Sequence, residues 1–342
     1  MKYNRLGRSG LFLSELTLGT MTFGDPRDKG TSEEVATQMI HHYLDAGGNH
    51  LDTANAYNAG RSEEIIGRAL KGKRREVLIA TKCNFPTEQG PNDYGLSRHN
   101  IIRSVEGSLQ RLDTDYIDLL YMHAEDTHAP IEESLRAVDD LVRQGKVRYI
   151  GVSNFKAWRL MKALATSDAR GLERFVAAQY QYSLLKREIE YEYTDLFTEE
   201  GLGLLPWSPL GGGFLSGKYQ PGDRPTEGRI ASHPDHTEEA WARRNTDRNW
   251  AILEAVGAIA ERHSATYSQV AIAWLRHQPS VCSTIIGVRT PEQLHDNLQA
   301  TQLNFSESEL EKLAAVSALP EQYPYRFLEV YGRKAPQAFV KE

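Results

Sequence analysis

The sequence predicts an α/β protein, a closed (β/α)8 TIM barrel with long βα loops and a C-terminal tail. Three observations carry that expectation. Short apolar, β-rich segments alternate with amphipathic helical stretches along the chain. The segments number eight, the count of a closed parallel ring. And 342 residues suit one such barrel with extended loops, with no domain-sized linker between two cores. Residues 1–342 therefore read as a single barrel domain.

In chain order the strand segments are Leu16–Phe23, His50–Tyr57, Val77–Cys83, Tyr116–His123, Val147–Asn154, Phe175–Leu184, Leu202–Leu210 and Ser283–Val288. Helical patterns lie between them, such as Glu33–Ala46, Ser62–Leu70, Arg98–Leu112, Ile131–Gln144 and Lys156–Ala165. Within Ile131–Gln144, the apolar Ile131, Leu135, Val138, Leu141 and Val142 recur every three or four positions and so share one helix face. Continuous apolar strands suit a parallel sheet covered on both sides, and a closed ring has no edge to protect. Two stretches break the rhythm and read as long loops, about 84–97 after the third strand and 211–248 after the seventh. A tail, about 319–342, carries Tyr323, Tyr325, Phe327 and Tyr331.

Composition excludes several classes. With 40% hydrophobic and 25% charged residues the chain can bury a large core, so disorder and small disulfide scaffolds are ruled out. Forty Lys and Arg against 46 Asp and Glu give a net charge of -6, which argues against nucleic-acid and anionic-membrane partners. Cys83 and Cys282 are too few for a disulfide framework or a cysteine-rich metal site. No apolar run is long enough to span a bilayer, and the opening MKYNRLGRSG lacks the apolar stretch of a secretory signal. The expected location is the reducing cytoplasm. Nothing in the sequence sets the oligomeric state.

Chemistry in such barrels sits where the strands end at their C-terminal side, because the βα loops build that face. Four polar groups fall there. The second strand runs into Asp52 and then Tyr57, the third ends at Lys82, and the fourth ends at His123. Burying an ammonium costs several kcal/mol unless it is paired, so an apolar strand that ends in Lys82 expects a carboxylate. Asp52, on the adjacent strand, is the candidate. A phenol ionises near pH 10, too high to give up its proton readily at neutrality. A neighbouring Lys82 ammonium would favour the phenolate of Tyr57 and lower that value. His123 could orient an oxygen placed against Tyr57. Together these groups are equipped to protonate a developing alkoxide.

With the residues in hand, a resemblance appears. The segments D-T-A-x-x-Y (Asp52–Tyr57), the Lys82 of IATK and the His123 of LLYMH resemble those of the aldo-keto reductases. So do GVSNF (Gly151–Phe155), QYQY (Gln179–Tyr182), PWSPL (Pro206–Leu210) and GVRTPEQ (Gly287–Gln293). The likeness runs from about Arg5 to Leu313, and is greatest to the bacterial branch that also resembles potassium-channel β subunits. It implies Tyr57 as general acid, Asp52 and Lys82 as the groups that tune it, and His123 as the group that places a carbonyl oxygen. It implies NADP(H) as cofactor and a small-molecule carbonyl or alcohol as substrate. The nicotinamide amide would meet Ser153, Asn154 and Gln179, with Trp207 facing the ring and Gly19, Thr20 and Met21 nearby. Gly217 and Lys218 would touch the pyrophosphate, Arg289, Gln293 and Asn297 would match the adenosine 2′-phosphate positions, and Ser208, Leu210 and Gly287 would also bind the cofactor.

The phosphate end also has a physical argument. Thr290 is a good N-cap and Pro291 suits a first helical position, so Arg289 stands beside a helix N-terminus, where free N–H groups favour an anion. Other motifs are weaker. GGFLSGKY (Gly212–Tyr219) follows the phosphate-loop pattern until Tyr219 replaces the required hydroxyl. His41 and His42 point about 100° apart on a helix, a poor chelate. His123, Glu125, Asp126 and His128 read as an acidic loop rather than metal ligands, and no metal is expected. Cys83 should face away from Lys82. Phe23, Phe85, Tyr94 and Trp207 are candidate substrate walls. Two further readings compete with carbonyl reduction: a dehydrogenase running the same site in reverse, and a cofactor-binding regulatory subunit. Against the latter, no long N-terminal arm is expected before Arg5.

Overall fold

The computed structural model describes residues 1–25, 30–222, 224–232 and 235–332. The chain opens with a hairpin, β1 (Tyr3–Arg5) and β2 (Phe12–Ser14), paired antiparallel with Tyr3 opposite Ser14. Its first strand is wholly exposed, so no apolar pattern marks it in the sequence. What the hairpin contributes is Leu6 and Leu13, both fully buried, which close the barrel floor against Leu205 and Cys282.

Eight parallel strands follow: β3 (Leu16–Gly19), β4 (His50–Asp52), β5 (Leu78–Cys83), β6 (Ile117–Met122), β7 (Val147–Ser153), β8 (Phe175–Gln179), β9 (Gly203–Leu204) and β10 (Thr284–Gly287). They pair in sequence order, with β10 returning beside β3. Backbone bonds from Leu204 N to Ser280 O (2.8 Å), Cys282 N to Leu204 O (3.0 Å) and Ile285 N to Pro206 O (3.0 Å) join β9 to β10 and close the ring. The fold is the (β/α)8 barrel that the strand–helix alternation predicts. The ladders are shorter than the apolar segments because the segments include the first loop residues. Beyond Leu204, for instance, the chain stays tied to β8 and the residues after it by Leu205 N to Ala178 O (2.8 Å) and Trp207 N to Tyr180 O (3.0 Å) as it turns to line the mouth.

The ring is wrapped by α1 (Glu33–Asp45), α2 (Arg61–Ala69), α3 (Arg98–Arg111), α4 (Ile131–Arg143), α5 (Ala157–Arg170) and α6 (Tyr193–Glu200), with α7 (Trp241–Arg244), α8 (Asp247–Arg262), α9 (Tyr267–Arg276), α10 (Pro291–Leu298), α11 (Glu307–Val316) and α12 (Tyr325–Tyr331) after β9. Side-chain caps set several starts: Ser97 accepts from Asn100 N, Thr246 from Asn249 N, and Thr266 with Gln269 forms a capping box. α5 outruns the expected end at Ala165 and stops at Gly171, whose φ of 61° ends a helix at little cost. On α4, Leu135, Val138 and Leu141 are the buried face; each such side chain removed from water contributes about 1.5–3 kcal/mol.

Strand alternation divides the core in two. Leu18, Leu51, Ile79, Cys83 and Ile286 pack outward under the helices, while Ala80, Leu119, Tyr121, Ala177 and Ile285 fill the barrel. Lys82 follows Ala80 inward and Cys83 turns outward. The region 211–248 is more ordered than a loop reading allows. It holds helical turns at Phe214–Ser216 and Ile230–Ser232, then α7, and α8 already claims Asp247 and Arg248. From within it, Phe214 and Trp241 pack their rings on Trp250 of α8, at 4.6 and 6.1 Å between centroids. Residues 223 and 233–234 of that loop, and 333–342 of the tail, lie outside the described residues.

Candidate active site

The mouth of the barrel gathers the four strand-end groups. β4 and β5 run in register, with Asp52 beside Ala80, which brings Asp52 and Lys82 together on the inner face. Lys82 Nζ donates to Asp52 Oδ1 (2.6 Å), to the Thr53 carbonyl (2.7 Å) and to Tyr57 Oη (3.1 Å). All three ammonium donors are thus engaged. Asp52 Oδ2 accepts from Gln179 Nε2 at 2.7 Å. Tyr57 opens a helical turn in which Asn58 and Ala59 hold φ of 52° and 54°. Asn58 Nδ2 donates to the Met21 and Phe23 carbonyls (2.9 and 2.8 Å), which fixes that turn against the loop after β3. His123, one residue past β6, lies edge-on to the Tyr57 ring with centroids 6.0 Å apart. Asn154 Nδ2 bridges the His123 carbonyl (3.0 Å) and Ser153 Oγ (2.9 Å).

Burial is the largest influence on each of these groups. It raises the Asp52 carboxyl, and Lys82 and Gln179 limit the rise. It would discharge Lys82, but the charges of Asp52 and Tyr57 outweigh it and hold the ammonium above its ordinary range. At 2.6 Å, with every donor met by an oxygen, the two form a buried ion pair. For Tyr57, burial lifts the phenol above its usual value and Lys82 offsets only part of that lift. The net lowering expected from the ammonium alone is therefore corrected: desolvation wins. His123 is driven down to about 2 by burial and then by Lys82, so its imidazole is neutral.

A cleft of about 520 Å³ opens over Tyr57 and His123 and runs to the start of α10, a size suited to a small-molecule or cofactor site. Along it lie Gly19, Thr20 and Met21, then Ser153, Asn154 and Gln179, then Trp207, Ser208, Leu210 and Lys218, and finally Gly287, Arg289, Gln293 and Asn297. Lys82 sits beneath its floor. Gly217 is not on its wall; at φ 76° it turns the chain, and a Cβ there would meet the Tyr267 ring at 3.1 Å. Phe23 is not a wall either, being fully buried among the outer residues of the barrel. Phe85 packs on His123 (4.7 Å) and Tyr94 on Phe85 (6.0 Å), so both extend the aromatic side of the mouth.

The far end concentrates positive charge. Thr290 caps α10, and the backbone N–H of Arg289 donates to Gln293 Oε1 at 2.9 Å. Lys218 is lowered by burial and by Arg289, and Arg289 by burial and by Arg229. Arg229 also lines the cleft and donates to Glu239 Oε2 at 2.7 Å, while Ser208 Oγ donates to Glu239 Oε1. Arg229 and Glu239 were beyond the sequence argument because no spacing links them to PWSPL; only the fold of the loop after β9 brings them in. The triple glycine is also more defined than it looks. Gly211, Gly212 and Gly213 take φ of 56°, 73° and 90°, which other residues resist. The phosphate-loop pattern in this stretch contains one helical turn, Phe214–Ser216, where a nucleotide-hydrolysing loop would lead into a long helix.

The suspected chelators are otherwise engaged. His41 Nε2 contacts the Ala69 carbonyl at 3.0 Å, and Asp126 accepts from three backbone N–H groups of Leu96, His128 and Ala129. Among the described residues no group of three or more His, Cys, Asp and Glu could hold a metal ion. None of their helices is long and apolar enough to cross a membrane.

The residues fit a bound dinucleotide. A Cβ on Gly287 would find no protein atom within 4 Å, so the cleft leaves room for another molecule against that backbone. The donor set of Lys218, Arg229, Arg289 and the capped α10 N-terminus suits phosphate. Fold and site together define an α/β-barrel oxidoreductase. The Aldo/keto reductase family pattern matches residues 15–318, and the chain belongs to that family. It is 40% identical to "Uncharacterized oxidoreductase YrpG" of Bacillus subtilis (strain 168), over 92% of this chain and 95% of that one. It is 36% identical to a "Probable voltage-gated potassium channel subunit beta" of Oryza sativa subsp. japonica, over 88% and 91%. It is 35% identical to "Versiconal hemiacetal acetate reductase" of Aspergillus parasiticus, over 92% and 96%.

Proposed function

We propose that the protein is an NADP(H)-dependent carbonyl reductase that converts aldehydes or ketones to alcohols, and reverses that reaction when alcohol and oxidised cofactor prevail. The observation that carries this reading is the Tyr57 hydroxyl held 3.1 Å from a buried, Asp52-paired Lys82 at one end of a cleft whose other end gathers Lys218, Arg229 and Arg289. NADPH, when bound, supplies a hydride from nicotinamide C4 to the carbonyl carbon. As that bond forms, the C=O π electrons move to oxygen, and Tyr57 Oη gives the oxygen its proton. The phenolate left behind is stabilised by the Lys82 ammonium until a proton from solvent restores it. Burial keeps Tyr57 protonated at neutral pH, so the acid is loaded before substrate arrives, and the nascent alkoxide is a far stronger base than the phenolate. Neutral His123 can donate to or orient the substrate oxygen without charge. Ser153, Asn154 and Gln179 would hold the nicotinamide amide, Trp207 would cover the ring, and Arg289 with Gln293 and Asn297 would take the 2′-phosphate.

A panel of aldehydes, ketones and sugars, with NADPH consumption followed by absorbance, tests the activity; no turnover on any carbonyl would refute it. The partner on this reading is a small-molecule carbonyl or alcohol, with neither nucleic acid nor membrane. Both cysteines are buried thiols pushed up to about 12 by burial, which suits the reducing cytoplasm.

A further inference from the structure

Asp52 is gripped from two sides of the ring. Lys82 reaches it from the adjacent strand β5, and Gln179 reaches it from β8, four strands away around an eight-stranded sheet. The Gln179 bond therefore crosses the barrel mouth, between residues 127 positions apart in the chain. Gln179 is itself fixed: its side chain is nearly fully buried, and its carbonyl accepts from Ser153 Oγ at 2.6 Å. Because a carboxylate only accepts hydrogen bonds, the amide must turn its NH2 to Asp52, which leaves Gln179 Oε1 as an acceptor facing away from it.

We propose that Gln179 is a positioning residue for proton transfer: by holding Asp52 Oδ2 it limits the carboxylate to one oxygen for Lys82, and so keeps the third ammonium donor on Tyr57. The geometry gives the reason. Of the Lys82 bonds, those to Asp52 and Thr53 are 2.6 and 2.7 Å, and that to Tyr57 is the longest at 3.1 Å. A carboxylate freed from Gln179 could turn both oxygens to the ammonium, and the contact given up would be the weakest, to the phenol. Tyr57 would then lose the one nearby charge that favours its ionisation. The groups facing Tyr57 are Lys82 from β5, Asp52 from β4, His123 after β6 and, at longer range, Arg229 from the loop after β9. Tyr121 also feels the Asp52 charge, from β6. Gln179 acts on Tyr121 as well, but among the groups facing Tyr57 it is the Asp52–Lys82 pair that it holds.

This inference rests on the carbonyl-reductase reading, but its test does not need turnover. With fluorotyrosine replacing the tyrosines, which brings phenol ionisation into a range the fold withstands, Tyr57 can be titrated by 19F NMR in the free protein and assigned by its loss in Tyr57→Phe. Gln179→Leu should shift the Tyr57 titration to higher pH and lower kcat/KM by about 10- to 100-fold, as loss of an outer hydrogen-bond partner does elsewhere. Most of the loss should fall in kcat. Gln179→Glu can donate only when protonated, so its kcat/KM should recover toward wild type as pH falls, whereas Gln179→Leu should not recover. An unmoved or lowered Tyr57 titration in both variants would overturn the proposal, whatever happened to nucleotide binding. A wild-type protein that reduces no carbonyl yet shows the upward shift in Gln179→Leu would refute the reductase reading and leave the clamp standing.

Discussion

The two ends of the cleft are built on opposite principles. At the Tyr57 end, charge is buried and balanced: Lys82 and Asp52 pair at 2.6 Å, and Gln179, Thr53 and Tyr57 itself take up what remains of both. At the phosphate end, like charges crowd together. Burial lowers both Lys218 and Arg289, Arg289 adding to the first shift and Arg229 to the second, while Glu239 holds Arg229. The strand-borne end is preorganised for a reaction in which charge appears only briefly. The loop-borne end gathers Lys218, Arg229 and Arg289 at the cleft, with the carboxylates of Glu239 and Asp296 beside them and Asp25 acting on Arg289. On the proposed function, catalysis would draw on the strand ends and nucleotide binding on the cations of the loops.

That contrast can be broken from either side. The largest effect should follow Lys82→Met, which leaves the Asp52 carboxylate buried without its partner. Breaking such a pair costs about 3–5 kcal/mol, read as a fall in the denaturation midpoint, and turnover should fall by ~10³-fold or more because the phenolate of Tyr57 loses its counter-charge. A mere surface pair would cost below about 1 kcal/mol. Next, Arg289→Ala should weaken NADPH binding by about 10- to 100-fold while leaving NADH nearly unchanged, with folding unaffected; titration of intrinsic fluorescence would show it. Equal loss for both nucleotides would remove the 2′-phosphate assignment.

A subtler effect concerns acid stability. Within the barrel His50, whose Nδ1 lies 2.8 Å from Thr17 Oγ1, is held down to about 3 by burial and then by Lys82. Below its ordinary value of 6.5 the unfolded chain takes up a proton that the native His50 refuses. Its contribution is thus fully present above pH 6.5 and is lost as pH falls toward 3, by about 1.4 kcal/mol per pH unit. His50→Gln should flatten the acid limb of a stability–pH curve; an unchanged limb would mean His50 charges freely in the folded protein. By the same reasoning neutral His123 adds no ionisation near pH 6–7 to kcat/KM.

Much of this was legible in the sequence, unevenly. The barrel follows from eight apolar segments in alternation with helices, and the encounter of Asp52, Tyr57, Lys82 and His123 from their place at adjacent strand ends. The hairpin was not legible because its exposed strand, Tyr3–Arg5, carries no pattern. Gln179 could be placed by resemblance near a nicotinamide amide, but its bond to Asp52 depends on ring closure, which no local spacing encodes. Arg229 and Glu239 meet through a loop that carries left-handed glycines and tilted or edge-on aromatic pairs. The sign of the Tyr57 shift was also out of reach, since it weighs burial against one charge, and burial is a property of the folded mouth.

The central claim, that Tyr57 delivers the proton and takes little part in binding, is tested most directly by measuring kcat/KM and NADPH affinity together in Tyr57→Phe. Carbonyl reduction should fall by ~10³-fold or more, with NADPH affinity essentially that of the wild type. Retained turnover in Tyr57→Phe would contradict it.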